Sequence, residues 1–475
     1  MSNIMKTTYT PTIGLEIHAE LKTQSKMFCG CKNDPHHATP NVYVCPVCMA
    51  HPGTLPVVNE EAVAKLLTFG HAIEATIADF TEFDRKNYFY PDIPKAYQIS
   101  QYAFPFVTGG TIRDIEITRV HLEEDTARSQ HDTDLGSLVN FNRAGVPLME
   151  LVTEPVIHDA TTAGDFAREL QLILQTLQIS DAHMERGEMR VEANVSVSPT
   201  ADLQTKVEVK NLNSFRSVES AITYEIDRQI NLYEAGEAVV AETRGWDENR
   251  QRTFSQRLKE TAEDYRYFPD PDIPKIQVSQ HEAFSTTRLA ENLPDLPQKK
   301  REKYSYIGLS EQQTETLIKD KYLDAMYSQL EQTHTDDISL LKIAGNYLTS
   351  DAPPVISDTG APPVDLHSAQ FMTLMQMLQN DEITSRIAKD LLREVLYDGA
   401  DPMQTASERG LLQSNDTEAL SAMVDEIVEE HPTVVEEYRA GKTTSIQFLV
   451  GQGMKKSKGS ANPKTLLALL EEKLK

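Results

Sequence analysis

Residues 13–21 read IGLEIHAEL, and apolar and polar side chains alternate along this stretch. Successive side chains of a β-strand point to opposite faces, so Glu16, His18 and Glu20 share one face and the apolar residues share the other. The pattern predicts a strand that packs one side against a hydrophobic core. Its other side presents carboxylates and an imidazole, which are groups that can bind metal ions.

Two further stretches alternate in the same way, MRVEANVSV at 189–197 and KVEVK at 206–210. Their polar faces combine opposite charges, and the members are Arg190, Glu192, Asn194 and Ser196 in the first and Lys206, Glu208 and Lys210 in the second. Together the three stretches predict a sheet surface built to hold hard metal ions and phosphates.

The composition is that of an ordinary soluble protein of 475 residues, of which 40% are hydrophobic and 25% charged. A chain of this length should divide into about three domains. No apolar run approaches the roughly 18 residues that span a bilayer, and residues 1–10 hold no secretory apolar stretch, which predicts a cytoplasmic location without a membrane partner. The net charge of −26 argues against broad, non-specific binding to nucleic acids.

The pattern changes along the chain and predicts an α+β protein. Residues 1–294 combine strand-like alternation with helical spacing at 63–73, 166–177 and 218–230. The segment NLPDLPQ at 292–298 is punctuated by prolines and predicts a domain boundary. We expect a helical domain at 295–400 and a small α-helical tail domain at 401–475.

The four cysteines of the chain all lie within one short stretch, as the pairs Cys29/Cys31 and Cys45/Cys48. Two close pairs at this separation fit a tetrahedral zinc site, and four thiolates would make its role structural. The alternative is two disulfides or four idle thiols, and a cytoplasmic location disfavours disulfides. The sequence therefore predicts a zinc-binding insertion at 29–48.

Glu150 lies within the apolar segment VPLMELV at 146–152, where a bare charge is unfavourable. It needs a cation, which Arg143 or a metal ion could supply. The segment HLEED at 121–125 adds three consecutive carboxylates, a pattern that is usually a solvated turn. Structural ion pairs and a Mg²⁺ or Mn²⁺ site both remain open, and the candidate ligands are Glu16, His18, Glu124, Glu150, Glu192 and Glu208.

The usual nucleotide-binding and nucleophile motifs are missing from the sequence. It has no GxxxxGK[ST] loop, no GxGxxG fingerprint and no GxSxG elbow. If the protein uses ATP, we expect it to bind on a sheet face with metal ions, as in glutamine synthetase.

At the level of whole motifs the chain closely resembles the B subunits of the bacterial tRNA-dependent amidotransferases. The resemblance covers essentially the whole length. The matching stretches are IGLEIH at 13–18, CPVC at 45–48, FDRKNYFYPD at 83–92, YQISQ at 97–101, HLEED at 121–125, the segment 143–155, KNLNSF at 210–215, DYRYFPDPD at 264–272 and the tail segments at 448–452 and 458–463.

The resemblance implies an activity. Family members phosphorylate the side-chain carboxylate of Glu or Asp misacylated on tRNA(Gln) or tRNA(Asn), using ATP and Mg²⁺, and ammonia then displaces the phosphate. Ammonia comes from an amidase-like glutaminase, the A subunit, which the small C subunit supports. The family fold is a glutamine-synthetase-like catalytic cradle with an antiparallel sheet, followed by a helical domain and a tail that binds tRNA.

The resemblance also implies roles for residues. One magnesium ion would be bound by His18, Glu124 and Glu150, and the second by Glu16, Glu192 and Glu208. Glu192 stands where the family usually has Asp. Arg190 and Lys210 would bind phosphate oxygens of ATP, and ion pairs with Glu192 or Glu208 are the alternative for both. Lys455, Lys456 and Lys458 would contact tRNA, with a solvated basic helix end as the alternative.

Two other functions compete with transamidation. The first is a non-catalytic, zinc-stabilised tRNA-binding scaffold, in which the carboxylates are only structural. The second is a carboxylate-amine ligase for a small molecule, which the helical C-terminal third disfavours. ATP cleavage that depends on Glu-tRNA or Asp-tRNA would distinguish them from the amidotransferase.

Overall fold

A computed structural model describes residues 8–133, 136–200, 202–258, 265–291, 293–413, 417–457 and 461–474. The chain divides into two compact units, one ending at Pro297 and the other beginning at Gln298. The division falls within the proline-punctuated segment at 292–298.

Within its described residues, the first unit is built on a ten-stranded sheet, and three small sheets accompany it. The strands are β1 Thr10–Glu20, β2 Thr76–Ile77, β3 Phe80–Thr81, β4 Asp84–Asn87, β5 Tyr97–Ser100, β6 Val107–Thr108, β7 Thr111–Ile112, β8 Ile115–Glu124, β9 Arg128–Thr133, β10 Gly136–Asn140, β11 Pro147–Thr153, β12 Met189–Ser198, β13 Val207–Leu212, β14 Glu242–Asp247, β15 Arg252–Leu258, β16 Phe268–Pro269 and β17 Ile276–Gln277.

The large sheet runs in the order β15-β14-β13-β12-β1-β11-β8-β6-β2, with β7 beside β8. Its pairs are antiparallel except β13 with β14, which are parallel. The predicted strands at 13–21, 189–197 and 206–210 are confirmed as β1, β12 and β13. They are close to one another because β12 pairs with both of the others.

The apolar face of this sheet forms the core of the first unit. Ile13 and Ile17 are fully buried, and Leu15 is nearly so. Helices contact the sheet: α1 Glu60–Ala72 touches β8, α2 Ala160–Thr176 touches β1, and α3 Phe215–Glu234 touches β12 and β13. These helices confirm the three stretches of predicted helical spacing.

Side-chain caps fix where the three helices begin. Asn59, Asp159 and Ser214 each accept a hydrogen bond from the backbone N–H three residues later. The unit also contains the short helix α4 Thr286–Ala290 and 3₁₀ turns at Met184–Arg186, Val278–Gln280 and Glu282–Phe284.

The second unit is helical throughout its described residues. Its helices are α5 Pro297–Ile307, α6 Glu311–Lys319, α7 Lys321–Thr333, α8 Ile338–Ser350, α9 Ala352–Thr359, α10 Ser368–Gln379, α11 Ser385–Asp398, α12 Pro402–Glu408, α13 Thr417–Glu430, α14 Pro432–Arg439, α15 Ser445–Lys456 and α16 Pro463–Leu474. The last four share an apolar cluster that includes Ile427, Leu449 and Leu466. The α+β class is thus confirmed, with a sheet-containing N-terminal unit followed by helices. Among the described residues, no helix has both the length and the apolar character needed to cross a membrane.

Candidate metal and phosphate site

The sheet register brings the polar faces of four strands into contact. His18 of β1 lies opposite Glu150 of β11, and Glu150 lies opposite His121 of β8. On the other side of β1, Glu16 lies opposite Glu192 of β12. Since every second residue of a strand shares its face, one surface gathers carboxylates and imidazoles from residues far apart in sequence.

The first group on this surface surrounds the carboxylate of Glu150. His18 Nε2 lies 3.3 Å from Glu150 Oε2 and 3.5 Å from Glu123 Oε1. His121 Nε2 lies 3.5 Å from Glu150 Oε2. Two overlapping trios of possible metal ligands result. Within each trio the ligand atoms lie within 4.8 Å of one another, and the trios are Glu16, His18 and Glu150, and His121, Glu123 and Glu150.

The second group consists of Glu16, Glu192 and Glu208, whose nearest carboxylate oxygens also lie within 4.8 Å of one another. Lys210 Nζ lies 2.6 Å from Glu192 Oε2 and 3.9 Å from Glu208 Oε1. The sequence-predicted set for the second metal is therefore assembled as a cluster. The ion pair between Lys210 and Glu192 is the alternative that the sequence left open for Lys210.

The surroundings raise the pKa values of Glu16, which belongs to both groups, and of His18, which belongs to the first. Burial, with the neighbouring carboxylates of Glu150 and Glu192, raises the pKa of Glu16 to about 7. Burial opposes the charged form of His18, but the hydrogen bond and charge of Glu150 and the charge of Glu123 outweigh it and raise the pKa of His18 to about 9. Without a metal ion, protons therefore supply positive charge that the site requires.

Glu124 is not part of the first group. Lys95 Nζ donates to its Oε2 at 2.6 Å, and the backbone N–H of Ile99 donates to its Oε1 at 3.0 Å. Glu124 lines a cavity of about 280 Å³ together with Cys48 and Lys95. Consecutive residues of a strand face opposite ways, so Glu123 rather than Glu124 shares the surface with His18 and Glu150.

Sequence reasoning missed three residues of this surface, namely His121, Glu123 and Lys86. The period of two along HLEED would have grouped His121 with Glu123. For Lys86, burial opposes the charged form, but the charges of Glu123 and Glu150 hold its pKa well above the usual value. Lys86 comes from β4 of a separate small sheet, so no pattern in the sequence indicated this proximity.

Arg190 is paired with a carboxylate that the sequence did not suggest. Its Nη2 lies 3.1 Å from Asp125 Oδ2, and Arg143 Nε lies 3.6 Å from the same oxygen. Arg143 also donates to the backbone carbonyls of Thr126 and Ala127. Asp125 thus fixes two guanidinium groups at one end of the polar surface.

The four cysteines form one cluster, and their sulfurs lie within 4.8 Å of one another. The Cys45 and Cys48 sulfurs are 3.8 Å apart, which is about the separation across a tetrahedral zinc ion with Zn–S bonds of about 2.3 Å. All four are free thiols in this structure. Lys26, which is fully buried, donates to the carbonyls of Tyr43 at 2.7 Å and Phe141 at 3.2 Å, and its Nζ lies 3.8 Å from Cys48 Sγ.

The tail lysines have different surroundings. Lys456 lies 2.8 Å from a Glu426 oxygen and 2.9 Å from a Glu430 oxygen. Lys455 is exposed, and no carboxylate among the described residues pairs with it. Lys458 lies outside the described residues.

Fold and site together define a class of protein. Its members have a mixed sheet whose polar face is lined by carboxylates and histidines suited to hard divalent cations, and a helical unit follows this sheet in the chain. Residues 11–283 match the family model described as the GatB/GatE catalytic domain, and residues 331–474 match the model described as the GatB domain.

Curated relatives match over almost the whole chain. Three proteins named as B subunits of aspartyl/glutamyl-tRNA(Asn/Gln) amidotransferase are similar to it. The protein of Gloeothece citriformis is 40% identical, covering 99% of this chain and 98% of the relative. That of Caldanaerobacter subterraneus subsp. tengcongensis is 42% identical (98% and 99%), and that of Roseiflexus sp. is 42% identical (98% and 98%). The chain belongs to the family of amidotransferase B subunits.

Proposed function

We propose that this protein is the component of a tRNA-dependent amidotransferase that activates the side-chain carboxylate of Glu on tRNA(Gln), of Asp on tRNA(Asn), or of both. One observation supports this proposal most strongly. Glu16, His18 and Glu150 lie together on one surface, and the pKa values of Glu16 and His18 are raised well above their usual values. Perturbed pKa values of this kind cluster at functional sites. The family match over 98–99% of the chain supplies the reaction.

The proposed reaction has two steps. An oxygen of the substrate carboxylate attacks the γ-phosphorus of ATP, the bond to the bridging oxygen breaks, and ADP leaves with that electron pair. The nitrogen of ammonia then attacks the carbonyl carbon of the acyl phosphate, phosphate leaves and a proton is lost, which gives the amide. Two anions must approach each other in the first step, so a cationic site is required.

Residues of the sheet surface would provide that site. We assign His18, Glu123 and Glu150 to the first magnesium ion and Glu16, Glu192 and Glu208 to the second, so Glu123 replaces Glu124 in the set. The donors are mainly carboxylate oxygens, which Mg²⁺ prefers. Arg119 also borders the site, with its Nη2 3.7 Å from Glu150 Oε1. The buried Nδ1 of His121 and Nε of Arg119 have no hydrogen-bond partner among the described residues, so both remain available to contact a ligand. Bound Mg²⁺ would neutralise negative charge on ATP and on the transferred phosphoryl group.

Lys210 and Arg190 border the two groups and are proposed to bind phosphate oxygens. Lys210 lies between Glu192 and Glu208, so it is already positioned over the second group. Arg190 is held by Asp125, which fixes the orientation of its guanidinium group before a ligand binds. Both would act by orienting ATP and balancing its charge.

The proposals for the cysteine cluster, the source of ammonia and the tail follow from membership of the family. The cysteine cluster would bind one structural zinc ion, which leaves no cysteine of the sequence free to act as the nucleophile of a glutaminase. We therefore propose that ammonia comes from an amidase-like A subunit that is supported by a small C subunit. The likeness of the first unit to glutamine synthetase, the boundary near residue 400 and the tRNA-binding role of the tail belong to the same proposal.

Reconstitution with the two partner proteins tests the function. We expect ADP formation only when Glu-tRNA(Gln) or Asp-tRNA(Asn) is present, and Gln-tRNA or Asn-tRNA as the product when glutamine is added. Glu150→Gln should abolish both while glutamine hydrolysis, measured without ATP, persists. ATP cleavage that ignores the tRNA, or near-normal transamidation by Glu150→Gln at saturating Mg²⁺, would contradict the proposal and favour the scaffold function.

A further inference from the structure

A second cavity, of about 270 Å³, lies beside the Arg143 end of the polar surface. Among its lining residues are three arginines, one histidine and one carboxylate: Arg128, Arg143, Arg186, His36 and Glu185. Three guanidinium groups against one carboxylate make the lining positive, although the chain as a whole carries −26. A concave site with this local charge attracts anions.

Arg143 is the fixed element of this cavity. Its side chain is only 20% exposed, and its Nε and Nη2 donate to the carbonyls of Thr126 and Ala127 at 2.9 and 3.1 Å. Within the described part of the chain, no hydrogen bond engages its Nη1. Asp125, Thr126 and Ala127 thus hold the guanidinium group in place and leave Nη1 for a ligand. A side chain that is already fixed loses little conformational entropy when it binds an anion.

Arg128 and Arg186 are the adaptable elements. Both are exposed, and the nearest carboxylate contact of Arg186 is Glu188 at 3.8 Å. Arg128 has no carboxylate partner among the residues that the structure describes. Surface arginines with so little compensation can rearrange around a ligand phosphate and form charge-assisted hydrogen bonds with it.

The cavity is connected to the metal site through direct contacts. His36 Nε2 lies 3.1 Å from Glu20 Oε2, and Glu20 is the next residue after His18 on the same face of β1. Arg143 also shares Asp125 with Arg190. Alternate residues of a strand are about 7 Å apart, so a phosphorylated substrate of ordinary length could contact the carboxylate groups and this cavity together.

We propose that the cavity lined by Arg128, Arg143 and Arg186 binds a phosphate group of a substrate, distinct from the phosphoryl group that is transferred at the metal ligands. The identity of that substrate, ATP or the acceptor end of the aminoacyl-tRNA, rests on the proposed function. The anion site itself rests only on the arginines and the cavity.

The test uses the full chain with its partner proteins and the double variant Arg128→Gln/Arg186→Gln. Both positions are exposed, so the fold should survive, and neither belongs to the proposed catalytic groups. Arg250→Gln/Arg288→Gln is the matched control, since it removes two exposed arginines of the same unit that do not line the cavity. Dissociation constants are measured for MgATP by calorimetry and for unacylated tRNA(Gln) by filter binding over a salt series.

We expect one of the two ligands to bind about tenfold more weakly to the cavity variant and unchanged to the control. Weaker MgATP binding would assign the cavity to a nucleotide phosphate. Weaker tRNA binding, with a shallower salt dependence, would assign it to the acceptor end. Unchanged affinity for both ligands would overturn the inference. If the wild type fails to make Gln-tRNA or Asn-tRNA but the variant still loses ligand affinity, the proposed function falls and the anion site stands.

Discussion

Glu123 and Glu124 show how much one position decides at the scale of the residue. Both are nearly fully buried and they are adjacent, yet their carboxylates contact different groups. Glu123 lies 3.5 Å from His18, whereas Glu124 is neutralised by Lys95 at 2.6 Å. Glu124 has its own lysine partner, while Glu123 lies beside His18 and forms, with His121 and Glu150, a group that could hold a metal ion.

The pair of variants Glu123→Gln and Glu124→Gln separates these environments. Glu123→Gln should weaken Mn²⁺ binding and lower tRNA-dependent ADP formation by about a hundredfold, because a charged ligand is lost. Glu124→Gln should bind Mn²⁺ as the wild type does. It should instead lower the free energy of unfolding by about 3 kcal/mol, because Lys95 remains buried without its partner. Mn²⁺ titration and urea unfolding of both variants check this, and equal loss of metal affinity would contradict the revised ligand set.

Proton release on metal binding is a second prediction at this scale. The pKa values of His18, about 9, and Glu16, about 7, are both raised above their usual values, so both groups carry protons near neutral pH. A metal ion must displace those protons. Mg²⁺ affinity should therefore rise with pH between about 6 and 9 and then level off. Calorimetry in buffers of different ionisation enthalpy counts the protons, and affinity that stops rising at pH of about 7.5, once Glu16 has lost its proton, would show that His18 is not a ligand.

At the scale of the element, the loop that holds the cysteines is fixed by a buried lysine. Lys26 bridges the carbonyl of Tyr43 in this loop and that of Phe141, which precedes the segment carrying Arg143. The thiol of Cys29, together with the backbone N–H of Cys45 and the nearby ammonium of Lys26, lowers the pKa of Cys48 to about 4. Lys26 therefore connects the cysteine loop to the 141–145 segment.

Removing the zinc ligands should loosen this loop. Cys45→Ser/Cys48→Ser should release one equivalent of zinc and expose residues 26–56 to hydrogen exchange, because metal binding contributes to folding there. Lys26→Met should lower zinc affinity as well, since it removes the ammonium 3.8 Å from Cys48 Sγ and leaves the partly buried carbonyl of Tyr43 without this donor. Elemental analysis and exchange mass spectrometry test both variants. Wild-type protein without zinc, with all four thiols readily alkylated, would refute the site.

At the scale of the whole molecule, an acidic protein has to bind an anionic tRNA. The number of lysines in the tail does not by itself explain how, because several of them are paired with carboxylates. Lys442, Lys456 and Lys473 are each within 2.9 Å of a carboxylate of the same tail. Their charge is thus partly compensated before any ligand approaches. Lys455 is exposed and has no such partner among the described residues.

Adjacent lysines therefore give a matched comparison. Lys455→Gln should weaken tRNA binding and reduce the salt slope by about one, because a phosphate contact is lost. Lys456→Gln should have a smaller effect, since Glu426 and Glu430 already neutralise that charge. Filter binding across a salt series measures both slopes. Equal affinities for both variants and the wild type would show that this end of α15 does not bind tRNA.

The sequence determined the local features of this protein. Alternation predicted β1, β12 and β13, and helical spacing predicted α1, α2 and α3. These succeeded because each depends on spacing along a single segment. The resemblance to the family named Glu16, Glu192 and Glu208 as one set, and their strands are neighbours in the sheet.

Only the tertiary structure decided which residues from distant segments meet. It placed Glu123 rather than Glu124 beside His18, brought Lys86 from another sheet to the same carboxylates, and paired Arg190 with Asp125. Strand order and register are set by the packing of the whole core, so no single segment specifies them. The arginine cavity has the same origin, because Arg128, Arg143 and Arg186 come from separate elements and become one site only when the sheet has formed.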